Sequence, residues 1–169
     1  FLTLLNGLFA MSELAVASSR QARLAAMEES GDAGAGAALR LMERQTQFLS
    51  SVQIGITSIG MLHGIVGEAA FSGPVAEWLA GLGLSEKVAS IGATALVVTA
   101  ITFTTIIFGE LVPKRIGQMF PETVARWIAQ PMTWLATGAK PFVALLSLCT
   151  QAVLKLQRID ESHGRAVTE

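Results

Sequence analysis

The sequence predicts an all-α integral membrane protein, with three transmembrane helices plus a juxtamembrane, re-entrant helical pair on the cytoplasmic side. Three observations carry that expectation. Of 169 residues, 51% are hydrophobic and 15% are charged, whereas soluble domains hold about 25% charged residues. Three runs, at about 1–20, 48–71 and 88–112, are nearly charge-free and long enough to cross ~30 Å of hydrocarbon. Arginine and lysine gather at the ends of these runs, as membrane topology requires. A net charge of −1 spread this way offers no basic face for nucleic acid. The single cysteine, Cys149, excludes an internal disulfide framework and a cysteine metal site. His63 and His163 are too few for a zinc cluster. No nucleophile–base pair and no phosphate-cradling loop points to an enzyme.

The first run, 1–20, is apolar with one interruption, Ser12-Glu13, and ends at Arg20 and Arg23. Residues 28–36, rich in glycine, alanine and acid, read as a flexible loop. Residues 37–47 place Leu39, Leu41 and Met42 among Arg40, Glu43 and Arg44, an amphipathic helix at the membrane surface. The second run carries Ser50, Ser51, Gln53, Thr57, Ser58 and His63. Its glycines Gly55, Gly60, Gly64 and Gly67 suit close helix approach. Ser72-Gly73-Pro74 is expected to end it, with a loop over 75–86 anchored by Trp78. The third run is rich in threonine and closes on Phe108-Gly109-Glu110-Leu111-Val112-Pro113-Lys114.

Residues 127–156 are long enough for a fourth span, yet Lys140-Pro141 interrupts them. Arg20, Arg23, Arg40 and Arg44 belong to the cytoplasmic side. Three spans then leave Lys114 and Arg115 there too. Lys155 and Arg158 join them if the last region enters and returns, or lies along the surface. A broken helical pair that does not cross is therefore expected, with a fourth span as the alternative. The N-terminus lies outside and the C-terminus in the cytoplasm. Residues 1–158 form the membrane domain. Phe1 opens inside an apolar run without an initiator methionine and Glu169 closes a charged stretch, so both ends read as boundaries within a longer chain.

Polar groups inside the runs suggest a site. A carboxylate at the end of a span is costly unless something pairs with it. Pro113 has no N–H and clashes with the Gly109 carbonyl, which loses its helical partner. Glu110 and that carbonyl are half of a hard-cation site. Neutralisation of Glu110 by Lys114, one turn on, or a place at the headgroup level is the alternative. The first and third runs point the same way, so Glu13 falls within roughly a turn of the depth of Glu110 at about 1.5 Å per residue. Ser12 adds a hydroxyl, though snorkelling of Glu13 to the interface is open too. Gln53 and Thr57 share a face of the second run at that depth, where interhelical hydrogen bonding competes with ligation; Ser51 is a weaker candidate, close to the membrane interface. Thr102 and Thr105 read better as packing residues, and His63 as a hydrogen-bonded one. Carboxylate, hydroxyl, amide and carbonyl oxygens suit Mg²⁺ or Ca²⁺, with Na⁺ also possible.

The stretches Phe9-Ala10-Met11-Ser12-Glu13-Leu14-Ala15, Gln53-Ile54-Gly55-Ile56-Thr57 and Gly109-Glu110-Leu111-Val112-Pro113-Lys114 resemble the transmembrane domain of the bacterial CorC proteins, relatives of the animal cyclin M magnesium transporters. Asp160-Glu161-Ser162-His163-Gly164-Arg165 resembles the lead into that family's cytoplasmic CBS-domain pair, so 159–169 reads as the start of a linker. The resemblance implies a Mg²⁺ exporter of the inner (plasma) membrane, coupled to inward Na⁺ movement and working as a homodimer in the lipid bilayer. It implies a cation site among three helices with the Gly-Glu-x-x-Pro motif contributing, and a nucleotide site only on the CBS pair. The first motif departs from the family's Phe-Ser-Gly-Ser-Glu. Ala10 has no hydroxyl, and Ser12 is the nearest substitute. A Mg²⁺-sensing membrane module without transport of its own is the competing function, and a structural anchor is a third.

Overall fold

A computed structural model describes residues 1–156 of the chain. Arg158, His163, the CBS-like lead and the linker at 159–169 lie outside the described residues. The described residues are helical, with helices α1 (Leu2–Ser18), α2 (Gln21–Glu29), α3 (Ala33–Glu43), α4 (Gln45–Gly81), α5 (Glu86–Ile106), α6 (Val112–Met119) and α7 (Pro121–Leu156). A π-helical turn, Ile107–Leu111, joins α5 to α6.

Side-chain contacts set the relative directions of the helices. Asn6 meets Gly109 and Glu13 meets Lys114, so α1 runs parallel to the α5–α6 rod. His63 meets Thr105 and Gly67 faces Ile101, so α4 is antiparallel to α5. These are the directions expected for three successive spans. The buried core is formed by Phe9, Val16, Leu24, Phe48, Val52 and Met132 among small alanines, where α1, α3, α4 and α7 meet.

Three helical rods are long and apolar enough to cross a membrane: Gln45–Gly81, Glu86–Met119 and Pro121–Lys155. The pair Leu2–Ser18 and Gln21–Glu29, bent by 94°, passes only when taken together. The number of spans expected is therefore matched, but length alone ranks α7 above α1. On each of the three rods at most 17% of the most apolar stretch is buried. Their apolar side chains thus face outward, as in lipid-exposed helices.

Several expected boundaries move. Residues 28–36 are not a loop: α2 and α3 meet at a short turn where Gly31 takes φ 97°. Asp32 caps α3 by accepting from the N–H groups of Gly34 and Ala35, at 2.9 and 3.2 Å. That cap satisfies the exposed donors of the first turn and carries the glycine-rich segment into a helix. Gly34 also sits so close to the Arg126 carbonyl that a Cβ would lie 2.5 Å from it. The small residues read as linker are thus a packing face of α3 against α7.

Ser72-Gly73-Pro74 does not end α4, which continues to Gly81. The turn to α5 comes instead at Leu82–Ser85, with Gly83 at φ 93°. Lys140-Pro141 likewise does not split the last region, and α7 runs through Pro131 and Pro141. Each proline removes one backbone hydrogen bond. A continuous buried stripe of Ala125, Ile128, Ala129, Met132 and Ala136 holds α7 across Pro131, since these positions recur on one helix face. The expected helical pair is therefore one rod.

Candidate functional site

Pro113 leaves the Gly109 carbonyl without an intrahelical donor, and the chain responds by widening. At the π-turn the Val112 N–H reaches back to the Ile107 carbonyl, five residues away. Such turns are rare and recur at functional sites. Gly109 is buried, and its freed carbonyl accepts from Asn6 Nδ2 of α1 at 2.9 Å. Asn6 is only 1% exposed, and its Oδ1 has no hydrogen-bond partner among the described residues. A buried amide oxygen left over in this way is costly. It is an unsatisfied acceptor beside the π-turn, next to the Gly109 carbonyl that the same amide satisfies.

Two glycines let α1 lie close against this segment. A Cβ on Gly7 would fall 2.9 Å from the Pro113 ring and 3.2 Å from the Phe108 carbonyl. One on Gly117 would fall 2.5 Å from the Met11 carbonyl. The same close approach brings Asn6 within hydrogen-bond reach of Gly109.

Glu110 is half-buried next to Gly109. Lys114 does not neutralise it. The lysine ammonium lies 3.2 Å from Glu13 Oε2 on α1, near enough for an ion pair though out of line for a directed hydrogen bond. Among the described residues the Glu110 carboxylate has no cationic partner. Because Asn6 is level with Gly109, Glu13 stands seven residues further along α1, roughly 10 Å at 1.5 Å per residue. The two carboxylates are thus set apart by nearly two turns, more than the expected one.

The other candidates divide. Ser12 Oγ donates to the Phe9 carbonyl at 2.7 Å and Ser51 Oγ to the Gln47 carbonyl at 2.8 Å. Both hydroxyl protons are spent inside their own helices, while both oxygens keep lone pairs for a cation. Both serines are buried. Gln53 and Thr57 lie on an exposed stripe of α4, next to the face that Gly55 presses against the Phe9 ring. Ser12 and Ser51 are buried and Glu13 and Glu110 half-buried, whereas Gln53 and Thr57 are exposed. Among the described residues no three His, Cys, Asp or Glu side chains gather around one point. A cation held here draws on carbonyl, amide and hydroxyl oxygens as well as carboxylate.

His63 Nδ1 and the Thr105 hydroxyl are 2.9 Å apart, the hydrogen-bonded role expected of this histidine. Gly55 and Gly67 do support close approach, against Phe9 and Ile101, but Gly60 and Gly64 face open space. Asn6 is an amide inside an apolar run whose more conspicuous interruption is Ser12-Glu13. Its signal is the coincidence with Pro113: a proline frees a carbonyl, and a buried amide elsewhere is the donor that can take it.

The whole chain, residues 1–169, matches the family described as the cyclin M transmembrane N-terminal domain. It is 40% identical over 168 residues to a UPF0053 protein of Synechocystis, covering 99% of this chain and 38% of that protein. It is 32% identical to a protein of Salmonella typhimurium named polyamine export protein, over 91% of this chain and 34% of the relative. The Escherichia coli K12 protein of the same name is 34% identical over 82% of this chain and 31% of its own length. The chain thus spans between about a third and two fifths of the length of these relatives.

Proposed function

We propose that this chain, which belongs to the cyclin M transmembrane N-terminal domain family, is the membrane part of a cation exporter whose cargo is Mg²⁺. The observation that carries the reading is the π-turn: a carboxylate without a cationic partner among the described residues, Glu110, beside a carbonyl and an amide oxygen in the Gly109–Asn6 contact. Hard oxygen donors of mixed charge are what Mg²⁺ accepts, with water retained at the remaining positions. Ser12, about 9 Å further along α1 than Asn6, and Ser51 on α4 offer oxygens along the path to this point instead of at it. Glu13, neutralised by Lys114, balances charge near the cytoplasmic entrance instead of ligating.

In this reading Mg²⁺ enters from the cytoplasm and sheds part of its water against Glu110. It leaves outward when α1 shifts against the π-turn. Inward Na⁺ movement drives the cycle by competing for the same carboxylate. The protein works as a homodimer in the inner (plasma) membrane, with its N-terminus outside and its C-terminus joined to a cytoplasmic CBS pair.

A second cargo is favoured by the names of two relatives, which are called polyamine export proteins. A linear polyamine is a chain of ammonium groups. Glu110 and Glu13, about two turns apart on parallel helices, suit such a spaced cation as well as a point charge.

Flux from proteoliposomes holding the full-length protein decides between these readings. Mg²⁺ efflux under an inward Na⁺ gradient, lost in Glu110→Ala with the fold intact, is the expected result. Putrescine efflux without Mg²⁺ efflux would reassign the cargo. Mg²⁺ binding without flux of either would leave a sensor. Unchanged Mg²⁺ efflux by Glu110→Ala would end the assignment of this site.

A further inference from the structure

Away from the π-turn, where the α3–α4 junction meets α7, a cavity of about 180 Å³ opens to the surface. Its rim carries Arg40 from the last turn of α3, Arg44 at the junction and Lys140 from α7. Glu43 is the single acid beside them, leaving two net positive charges. Three other basic side chains at this end of the bundle are paired, Arg23 with Glu122, Arg126 with Asp32 and Lys114 with Glu13, while Arg20 and Arg115 are exposed single charges among the described residues. The three rim cations lie within 4.0 Å of no carboxylate among the described residues. Cations brought from two distant segments to one mouth repel each other, so the arrangement calls for an anion.

The floor has a different character. Leu41, Phe48 and Ala136 are buried apolar side chains at 5%, 1% and 9% exposure. Thr133 and Thr137 donate their hydroxyl protons to carbonyls of α7 itself. Donors for an anion therefore come from the guanidinium and ammonium groups and the Gln47 amide. Phe48 begins the apolar run of α4, so the pocket stands at the level where that run starts. A guest that is anionic at one end and apolar at the other fits both halves.

We propose that this pocket binds a phosphate ester, supplied by the headgroup of an anionic phospholipid, with its glycerol and first acyl carbons on the Phe48–Ala136 floor. Two forked guanidiniums match phosphate oxygens bidentately, and basic pockets between helices at a membrane boundary are suited to such headgroups. A bound lipid would tie the α3–α4 junction to the middle of α7. The site does not depend on which cation the protein moves.

The test is thermal unfolding of the full-length protein in neutral detergent, titrated with phosphatidylglycerol, phosphatidylcholine or inorganic phosphate. Phosphatidylglycerol should raise the unfolding temperature where phosphatidylcholine does not. Loss of each cation should weaken the apparent affinity about fivefold, so Arg44→Gln with Lys140→Gln should weaken it by more than about twentyfold. Arg115→Gln, which removes an exposed charge outside the pocket, should leave it unchanged. Should the double variant not fold, Lys140→Gln alone should still show the fivefold loss. Protection by inorganic phosphate, lost in the same variants, would keep the phosphate site but assign it to a soluble ester. Equal protection by both lipids, or an Arg115→Gln loss as large as that of Lys140→Gln, would overturn the proposal.

Discussion

The side-chain amide of Asn6 donates to the backbone carbonyl of Gly109 at 2.9 Å, across a helix interface and 103 positions along the chain. That carbonyl is the one Pro113 deprives of its helical donor. A local backbone defect in the third apolar run is thereby repaired by a polar residue in the first. The repair couples α1 to the turn that carries Glu110, so motion of α1 and the position of that carboxylate are linked.

Replacing Asn6 with Leu should cost about 1–3 kcal/mol, because the Gly109 carbonyl becomes a buried acceptor without a donor. Asn6→Asp should be worse still, since the carboxylate would face a carbonyl oxygen. Thermal unfolding in detergent measures both. A neutral Asn6→Leu would mean that water or a local backbone shift satisfies the carbonyl.

Gly117→Ala should destabilise the bundle by about 1–3 kcal/mol, the usual cost of overpacking. The obstructing atom is the Met11 carbonyl, part of a helix backbone that cannot step aside. Gly60→Ala has nothing within 4 Å to meet and should be neutral or stabilising by up to about 1 kcal/mol, from the backbone entropy of glycine. Parallel unfolding curves of the two variants separate interface glycines from incidental ones.

Glu13 and Lys114 should couple in a double-mutant cycle by about 0.5–1 kcal/mol. Both are partly exposed, at 23% and 35%, which places the pair near the upper end of the range for solvated ion pairs. Lys114→Met alone should cost more than Glu13→Gln alone, because it leaves a carboxylate among apolar neighbours. Flux in Glu13→Gln should fall less than in Glu110→Ala, since the lysine already engages Glu13.

Asp32 performs two tasks that substitution can separate. Its Oδ1 caps α3, while Oδ2 accepts from Arg126 Nη1 at 2.8 Å. Asp32→Asn should keep most of the cap and lose the charge pairing. Asp32→Ala should lose both and cost about 0.5–2 kcal/mol. Hydrogen exchange over 33–38 reports on the cap, and should rise in Asp32→Ala well above Asp32→Asn.

Legibility from sequence depended on the range of the interaction. The proline-freed carbonyl at Gly109 could be read from a four-residue spacing, and the π-turn bears it out. The parallel and antiparallel directions followed from counting charged ends. The fate of Lys114 could not be read, because Glu110 one turn away and Glu13 on another helix were both within reach of its long side chain. The residues 28–36 misled for a related reason. Glycine and alanine favour a loop when alone, but they are also what a helix needs to lie against a neighbouring carbonyl, as Gly34 does at Arg126. The prolines at 74 and 141 suggest interruptions, yet α4 and α7 run through them, each giving up only one backbone hydrogen bond.

By itself, the sequence determined that the chain is helical and membrane-embedded, that its first three apolar runs alternate in direction, and that Gly109 and Glu110 form an exceptional point on the third. These follow from apolar run length, charge at run ends and the chemistry of one proline, all of which act within a few residues. Only the tertiary structure decided the partners: Asn6 for the Gly109 carbonyl, Glu13 for Lys114, and Arg40, Arg44 and Lys140 for one another around a shared cavity. Partnership requires the axial register and rotation of packed helices. A slip of one residue turns a helix by about 100°, so a polar group that is buried in one register faces lipid in the next.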